Sequence, residues 1–219
     1  MKRIGRASFT FSQPPRIVGC ASAVGKKEGE GPLGASFDRV FDDNLLGEDS
    51  WEKAESRLVT EAVTAALEKT RLTAEDIDAI FTGDLLNQCI ASTFGMRAMG
   101  IPHVGMYGAC STMASSLIGA AVFTASGAAR RSIAVTSSHF SSSERQFRYP
   151  LQYGGQRPPT AQWTVTGSGA IILGENDSTE AINRAQITAA TIGTIEDLGI
   201  TDANNMGAAM APVDVKLTP

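Results

Sequence analysis

The chain has 219 residues, with 19 Lys and Arg against 23 Asp and Glu and a formal net charge of -4. That length gives one sizeable domain or one lobe of a larger body. There is no basic excess to neutralise phosphates, which argues against nucleic acid as a partner; a small acidic ligand needs only a few local cations and stays open.

The start, Met1 to Arg6, is basic, but no apolar core follows it, so it does not read as a signal peptide. Residues 16–25 predict a buried strand ending in a glycine turn, and 26–34 a solvated loop rich in glycine and charge. Asp49 followed by Glu52 resembles a capping box opening a helix to about Lys69, with Ala54, Leu58, Ala62, Ala65 and Ala66 on one face. Thr73 with Asp76 starts a short helical turn, and residues 78–83 predict a strand. A helix over 87–99 is expected, stopped by Ile101-Pro102.

A short strand over 103–107 leads into Gly108-Ala109-Cys110-Ser111-Thr112, followed by small apolar residues to Ala129. Ala, Ser and Gly occur on every face of that segment, so it reads as a helix buried all round. Its stretch from Leu117 to Ala129 is too short and too rich in Ser and Gly for a membrane span. A helix buried on both sides needs a sheet on each side, and one lobe of this length supplies only one. Residues 132–138 predict another strand, 139–160 a long loop without periodicity, and 164–173 with 185–195 two strands paired antiparallel. Residues 207–212 read as a linker. Strands alternating with helices imply an α/β layer structure with a mostly parallel sheet.

Cys20, Cys89 and Cys110 show no CxxC spacing and the two histidines lie far apart, so no zinc or other metal site and no cofactor is expected. An odd cysteine count without a disulfide pattern points to a reducing compartment. The glycines of 25–34 do not form a nucleotide-binding fingerprint. Cys110 is the informative residue. A cysteine on a strand-to-helix turn faces a cleft and the positive end of a helix, a setting that favours thiolate. It suits either a nucleophile or the floor of an anion-binding pocket. Asp84, at the carboxyl end of a strand, is a candidate for the same site or a cap on the next helix. His139 is a candidate base for Cys110, or else orders the loop that it opens; His103, Cys20 and Cys89 read as structural or core residues. Arg145, Arg148, Arg157, Tyr149 and Tyr153 supply guanidinium forks and flat faces that suit a small planar dicarboxylate.

The segments Gly83-Asp84-Leu85-Leu86-Asn87-Gln88, Tyr107 to Thr112, Thr136 to Phe140, Glu144 to Pro150 and Ala161 to Gly167 resemble the N-terminal half of the thiolase and β-ketoacyl synthase fold. Within it they are most similar to the stage V sporulation protein AD branch. The resemblance implies a layered α/β/α/β/α body with the small-residue helix shared between two lobes. One thiolase-like domain over 1–212, with 139–160 as a functional loop, is expected; 213–219 would open a linker or second lobe, and the C-terminal half of the body would lie outside this chain. The lobe's mating surface would then be exposed and apolar. By resemblance, the protein binds dipicolinic acid, a pyridine dicarboxylate, without catalysing a reaction. It would support uptake of that acid into the developing spore with membrane-protein partners. A homodimer is implied, in the cytoplasm or peripheral at the spore inner membrane. The implied ligand-binding set is Asp84, Cys110, Ser111, His139, Arg145, Arg148 and Tyr149. The alternative is an acyltransferase or condensing enzyme acting on acyl-thioesters, with Cys110 as nucleophile and His139 as base.

Overall fold

A computed structural model describes residues 1–147, 164–176 and 185–194. In chain order the elements are β1 (Lys2–Ile4), β2 (Ser8–Thr10), β3 (Arg16–Val24), α1 (Lys26–Gly29), β4 (Arg39–Val40), α2 (Trp51–Thr70), β5 (Ala79–Gly83), α3 (Ile90–Met96), β6 (His103–Gly105), α4 (Thr112–Ala125), β7 (Arg131–Ser138), α5 (Phe140–Phe147), β8 (Gly167–Gly174) and β9 (Ala189–Thr191). They form a six-stranded sheet in the order β4-β3-β8-β7-β5-β6 and a three-stranded sheet β1-β2-β9. In the larger sheet β8 alone runs against the rest, so the sheet is mostly parallel.

The alternation of strand side chains builds two cores. Ile80, Ile133, Val135, Ala170 and Ile172 point to one face, where α2 lays Leu58, Val59, Ala62, Val63 and Ala66 against them. Ala79, Phe81, Ala134 and Leu173 point to the other, against Ala120 and Ala121 of α4. Helix α2 forms because its apolar residues recur every three or four positions and both ends are closed. Ser50 is the N-cap, its hydroxyl accepting from the Lys53 N–H at 3.3 Å. Arg71 takes the left-handed conformation at the other end, and the next N–H, of Leu72, reaches back to the Leu67 carbonyl at 3.0 Å. Helix α3 lies close enough to α2 that a Cβ on Gly95 would collide with the Ser56 carbonyl.

Several expectations need correction. The cap of α2 is Ser50 rather than the Asp49–Glu52 pair; Asp49 instead pairs with the Lys53 ammonium at 2.7 Å. The 26–34 loop contains α1. The helix expected over 87–99 is broken, because Gln88 and Cys89 hold left-handed backbone angles ahead of α3. The start of the supposed loop at 139–160 is helix α5; the rest of it, from 148, lies outside the described residues, as does the expected linker. Strands β8 and β9 do not pair: β8 inserts between β3 and β7, and β9 joins β2. Cys20 is exposed, since it alternates with Ala21, which packs toward α2, and so lies on the other face of β3; Cys89 is buried. Among the described residues, helix α4 is covered on one face, with the single sheet expected of one lobe beside it. Thr112, Ser116, Ala120, Ala121 and Thr124 face the sheet, while Ala114 and Phe123 are exposed and Leu117 and Ile118 half-buried. Among the described residues, no helix is long and apolar enough to cross a membrane.

Candidate functional site

The carboxyl ends of β3, β5 and β7 and the start of β8 open onto a cavity of about 370 Å³. Its walls are Ser22 and Val24, Asp84 and Leu85, Thr136 to Ser138, Val165, Gly167 to Gly169 and Phe37. Ala109, Cys110, Thr112 and Met113 form its side at the α4 N-terminus. This is where open α/β sheets place their ligands, since the loops leaving parallel strands converge there. A second cavity of about 350 Å³ lies at the far end of α4, beside Ser126, Gly127, Glu175 and Asn176; no cysteine lines it.

The Cys110 turn is built by hydroxyls. Thr112 Oγ1 accepts from the Gly108 N–H at 3.1 Å and donates to the Ala109 carbonyl at 2.7 Å. Ser111 Oγ donates to the Gly108 carbonyl at 2.7 Å, so this hydroxyl is spent within the turn, and Ser111 does not line the cavity. Ala109 sits at φ +48°, a left-handed angle that costs a residue with a Cβ roughly 1 kcal/mol. The turn thereby leaves Cys110 exposed at the cavity wall. Gly83 permits the close fit behind it: a Cβ there would collide with the Met106 carbonyl and the Thr112 methyl.

Asp84 is buried, and its carboxylate serves the following turn. Oδ1 accepts from the Leu86 N–H at 2.8 Å; Oδ2 accepts from the Ser92 N–H and the Ser92 hydroxyl, each at 2.7 Å. These bonds fix the segment that carries Gln88 and Cys89 at φ +61° and +51°. Asp84 thus lines the cavity and accepts from the Ser92 N–H in the first turn of α3, whose N-cap is Cys89 rather than Asp84.

His139 does not line the cavity. It is fully buried, with its ring 5.3 Å from that of Trp51 and 5.0 Å from that of Phe140. Its Nε2 donates to the Asn44 carbonyl at 2.9 Å and its Nδ1 accepts from the Ser141 N–H at 3.1 Å. Both ring nitrogens are committed to backbone, which is the loop-ordering role rather than that of a base for Cys110. His103 Nε2 meets Thr82 Oγ1 at 2.6 Å, tying β6 to β5, and burial holds its pKa down. Arg145 lies on α5, and its side chain is outside the described residues, as are Arg148, Tyr149, Tyr153 and Arg157.

One residue escaped the sequence reading. Glu55 of α2 is fully buried. Its Oε1 accepts from the Ser137 hydroxyl at 3.0 Å and its Oε2 from the Ser142 hydroxyl at 2.6 Å. Burial, with the nearby Asp84 charge, pushes its pKa up to about 7. The signal was present: a Glu three and four positions before Leu58 and Val59 sits on the apolar stripe of its helix. Among the described residues, no cluster of three or more His, Cys, Asp or Glu could hold a metal ion.

The layers, the strand order and a cysteine in the turn before α4 define a thiolase-like fold. The likeness extends to a solved variant of OleA from Xanthomonas campestris, at a TM-score of 0.52 and 15% identity over 77% of this chain and 58% of that one. A 3-oxoacyl-(acyl carrier protein) synthase III from Xanthomonas oryzae superposes with a TM-score of 0.49 at 17% identity, covering 81% of this chain and 61% of that one. The chain belongs to the stage V sporulation protein AD family, whose model matches residues 5–218. It is 45% identical over 212 residues to the stage V sporulation protein AD of Bacillus subtilis (strain 168). That match covers 97% of this chain, which spans 61% of the relative's length.

Proposed function

We propose that this sporulation-family protein binds a small planar dicarboxylate, dipicolinic acid, in the cavity beside Cys110 and supports its uptake into the developing spore. The observation that carries the reading is the cavity itself. It opens at the strand ends with Cys110 in its wall, while the candidate base His139 has both ring nitrogens engaged elsewhere. A nucleophilic cysteine needs a proton acceptor; a pocket wall does not. The positive end of the α4 dipole suits a carboxylate. Arg145, Arg148 and Tyr149 are proposed as further contacts on the ligand, and membrane proteins of spore uptake as partners of a homodimer at the spore inner membrane. Titration calorimetry of the full-length protein with dipicolinate tests this. Heat that weakens in Arg148→Ala supports it, and no heat at millimolar ligand sinks it.

The exposure of Cys110 keeps one alternative in play, a cysteine-dependent acyltransferase in which its sulfur is acylated by a thioester. Intact-mass measurement after incubation with acyl-CoA decides between them, since only the enzyme retains an adduct.

A further inference from the structure

The Glu55 carboxyl touches three elements: its own helix α2, Ser137 at the end of β7 and Ser142 in the first turn of α5. Ser137 is also part of the cavity wall. Other charged groups near Glu55 are acidic: Asp84 at the end of β5 and Glu52 on its own helix both disfavour its ionised form. On the α5 side, His139 precedes the helix with its ring held by Asn44 and Ser141, and the Arg145 side chain lies outside the described residues.

The two protonation states demand different hydroxyl arrangements. An ionised carboxylate only accepts, so both serine hydrogens must point at it. A protonated carboxyl carries one hydrogen that it must donate. Among the described residues, the Ser142 hydrogen has only the His139 carbonyl, at a long 3.5 Å, as another acceptor, so Ser142 keeps donating to Glu55 and the contact with Ser137 is the one that reverses. Ser137 then accepts from Glu55, and its own hydrogen is free to turn to the cavity.

We propose that Glu55 is a positioning residue for the cavity: by taking up a proton it reverses the Ser137 hydroxyl into a donor toward an anionic ligand, so that the ligand and one proton bind together. The ligand side of this inference rests on the dicarboxylate reading above. The physical reason is charge. An anion entering beside Asp84 and an ionised Glu55 meets two carboxylates across a poorly screened wall. A proton from solvent, transferred to Glu55 Oε1, removes one of those charges and supplies a donor in the same step. Because burial already places the Glu55 titration near neutrality, the exchange is accessible around pH 7.

Two measurements on the full-length protein test this. Infrared difference spectra between about pH 5.5 and pH 8.5 should show one protonated carboxyl band, titrating near neutrality and missing in Glu55→Gln. Ser142→Ala, which removes a donor to the ionised form, should move the midpoint of that band upward; it also assigns the band if Glu55→Gln does not fold. Calorimetry with dipicolinate in buffers of differing ionisation heat should then show uptake of up to one proton. Affinity should fall about tenfold from pH 6 to pH 8, and less in Glu55→Gln. A spectrum without the band, or binding without proton uptake, overturns the inference. Absence of dipicolinate binding at every pH overturns the dicarboxylate reading instead, and the ligand-coupled half of this inference with it. The infrared titration still decides whether Glu55 is the proton site.

Discussion

Ser92 donates twice to one oxygen of Asp84: its backbone N–H and its hydroxyl both reach Oδ2 at 2.7 Å. One carboxylate thus holds the turn between β5 and α3 in place and forms a wall of the cavity. Stability and the proposed ligand binding at Asp84 are therefore entangled, and Ser92 separates them. Ser92→Ala removes a hydrogen bond to a charged, buried group and should cost about 1.5–3 kcal/mol in urea unfolding. An unchanged midpoint would show that the turn is held by something else.

Gly83→Ala should be worse tolerated than most glycine changes in a strand. The added methyl meets a backbone carbonyl and the branched side chain that anchors the Cys110 turn, and neither can swing away. A loss of about 1–3 kcal/mol is expected from overpacking alone, with faster alkylation of the buried Cys89 as the turn loosens. Wild-type stability in this variant would contradict the close fit.

The contribution of Glu55 to stability should fall as pH rises toward neutrality. Glu55 has a folded-state pKa raised from 4.5 to about 7 by burial, so the native state holds that proton more tightly than the unfolded chain. Its contribution is full below about pH 4.5 and is lost as pH rises through 7, an effect of roughly 3 kcal/mol. His103, whose pKa burial depresses, acts the opposite way and weakens the fold as pH falls below its ordinary range. The Glu55 part is isolated by difference: Glu55→Gln should flatten the fall between about pH 5 and pH 8 in guanidinium unfolding. An identical slope in the variant would place the titration elsewhere.

Ser50→Ala should cost about 1 kcal/mol by removing the N-cap of α2, whereas Asp49→Ala should change stability by under about 0.5 kcal/mol because its pair with Lys53 is exposed. Thermal melts of the two variants check the assignment of the cap. Equal losses would restore Asp49 to the role the sequence suggested.

The sheet core was legible because Val, Ile and Phe alternate in runs bounded by Gly and Asp, and the α2 stripe because it repeats at helical spacing. The short turn opened by Thr73 and Asp76 was legible too: it closes as a capping box, in which the Thr73 N–H donates to the Asp76 carboxylate at 2.8 Å. The order of strands was not. Nothing local in residues 167–174 says that they will run between β3 and β7, since that partner choice is made by burial on both faces. The break before α3 was hidden because two left-handed residues, Gln88 and Cys89, are neither Gly nor Asn; the bonds from Leu86 and Ser92 to Asp84 hold the segment on either side of them. At the site, the position of Cys110 could be read from its glycine and hydroxyl neighbours. The fate of His139 could not, because its partners Asn44 and Trp51 are distant in sequence and are brought to it only by the fold.

The central claim is that the cavity beside Cys110 holds a small dicarboxylate, and the chain carries its own control for testing it. Cys110 lies in the cavity wall, whereas Cys20 is exposed without lining the cavity. Alkylation of the full-length protein, followed residue by residue by mass spectrometry with and without dipicolinate, reads both at once. Slowed modification of Cys110 at an unchanged rate for Cys20 is the predicted result. Equal rates at Cys110 with and without a saturating excess of the ligand would contradict it.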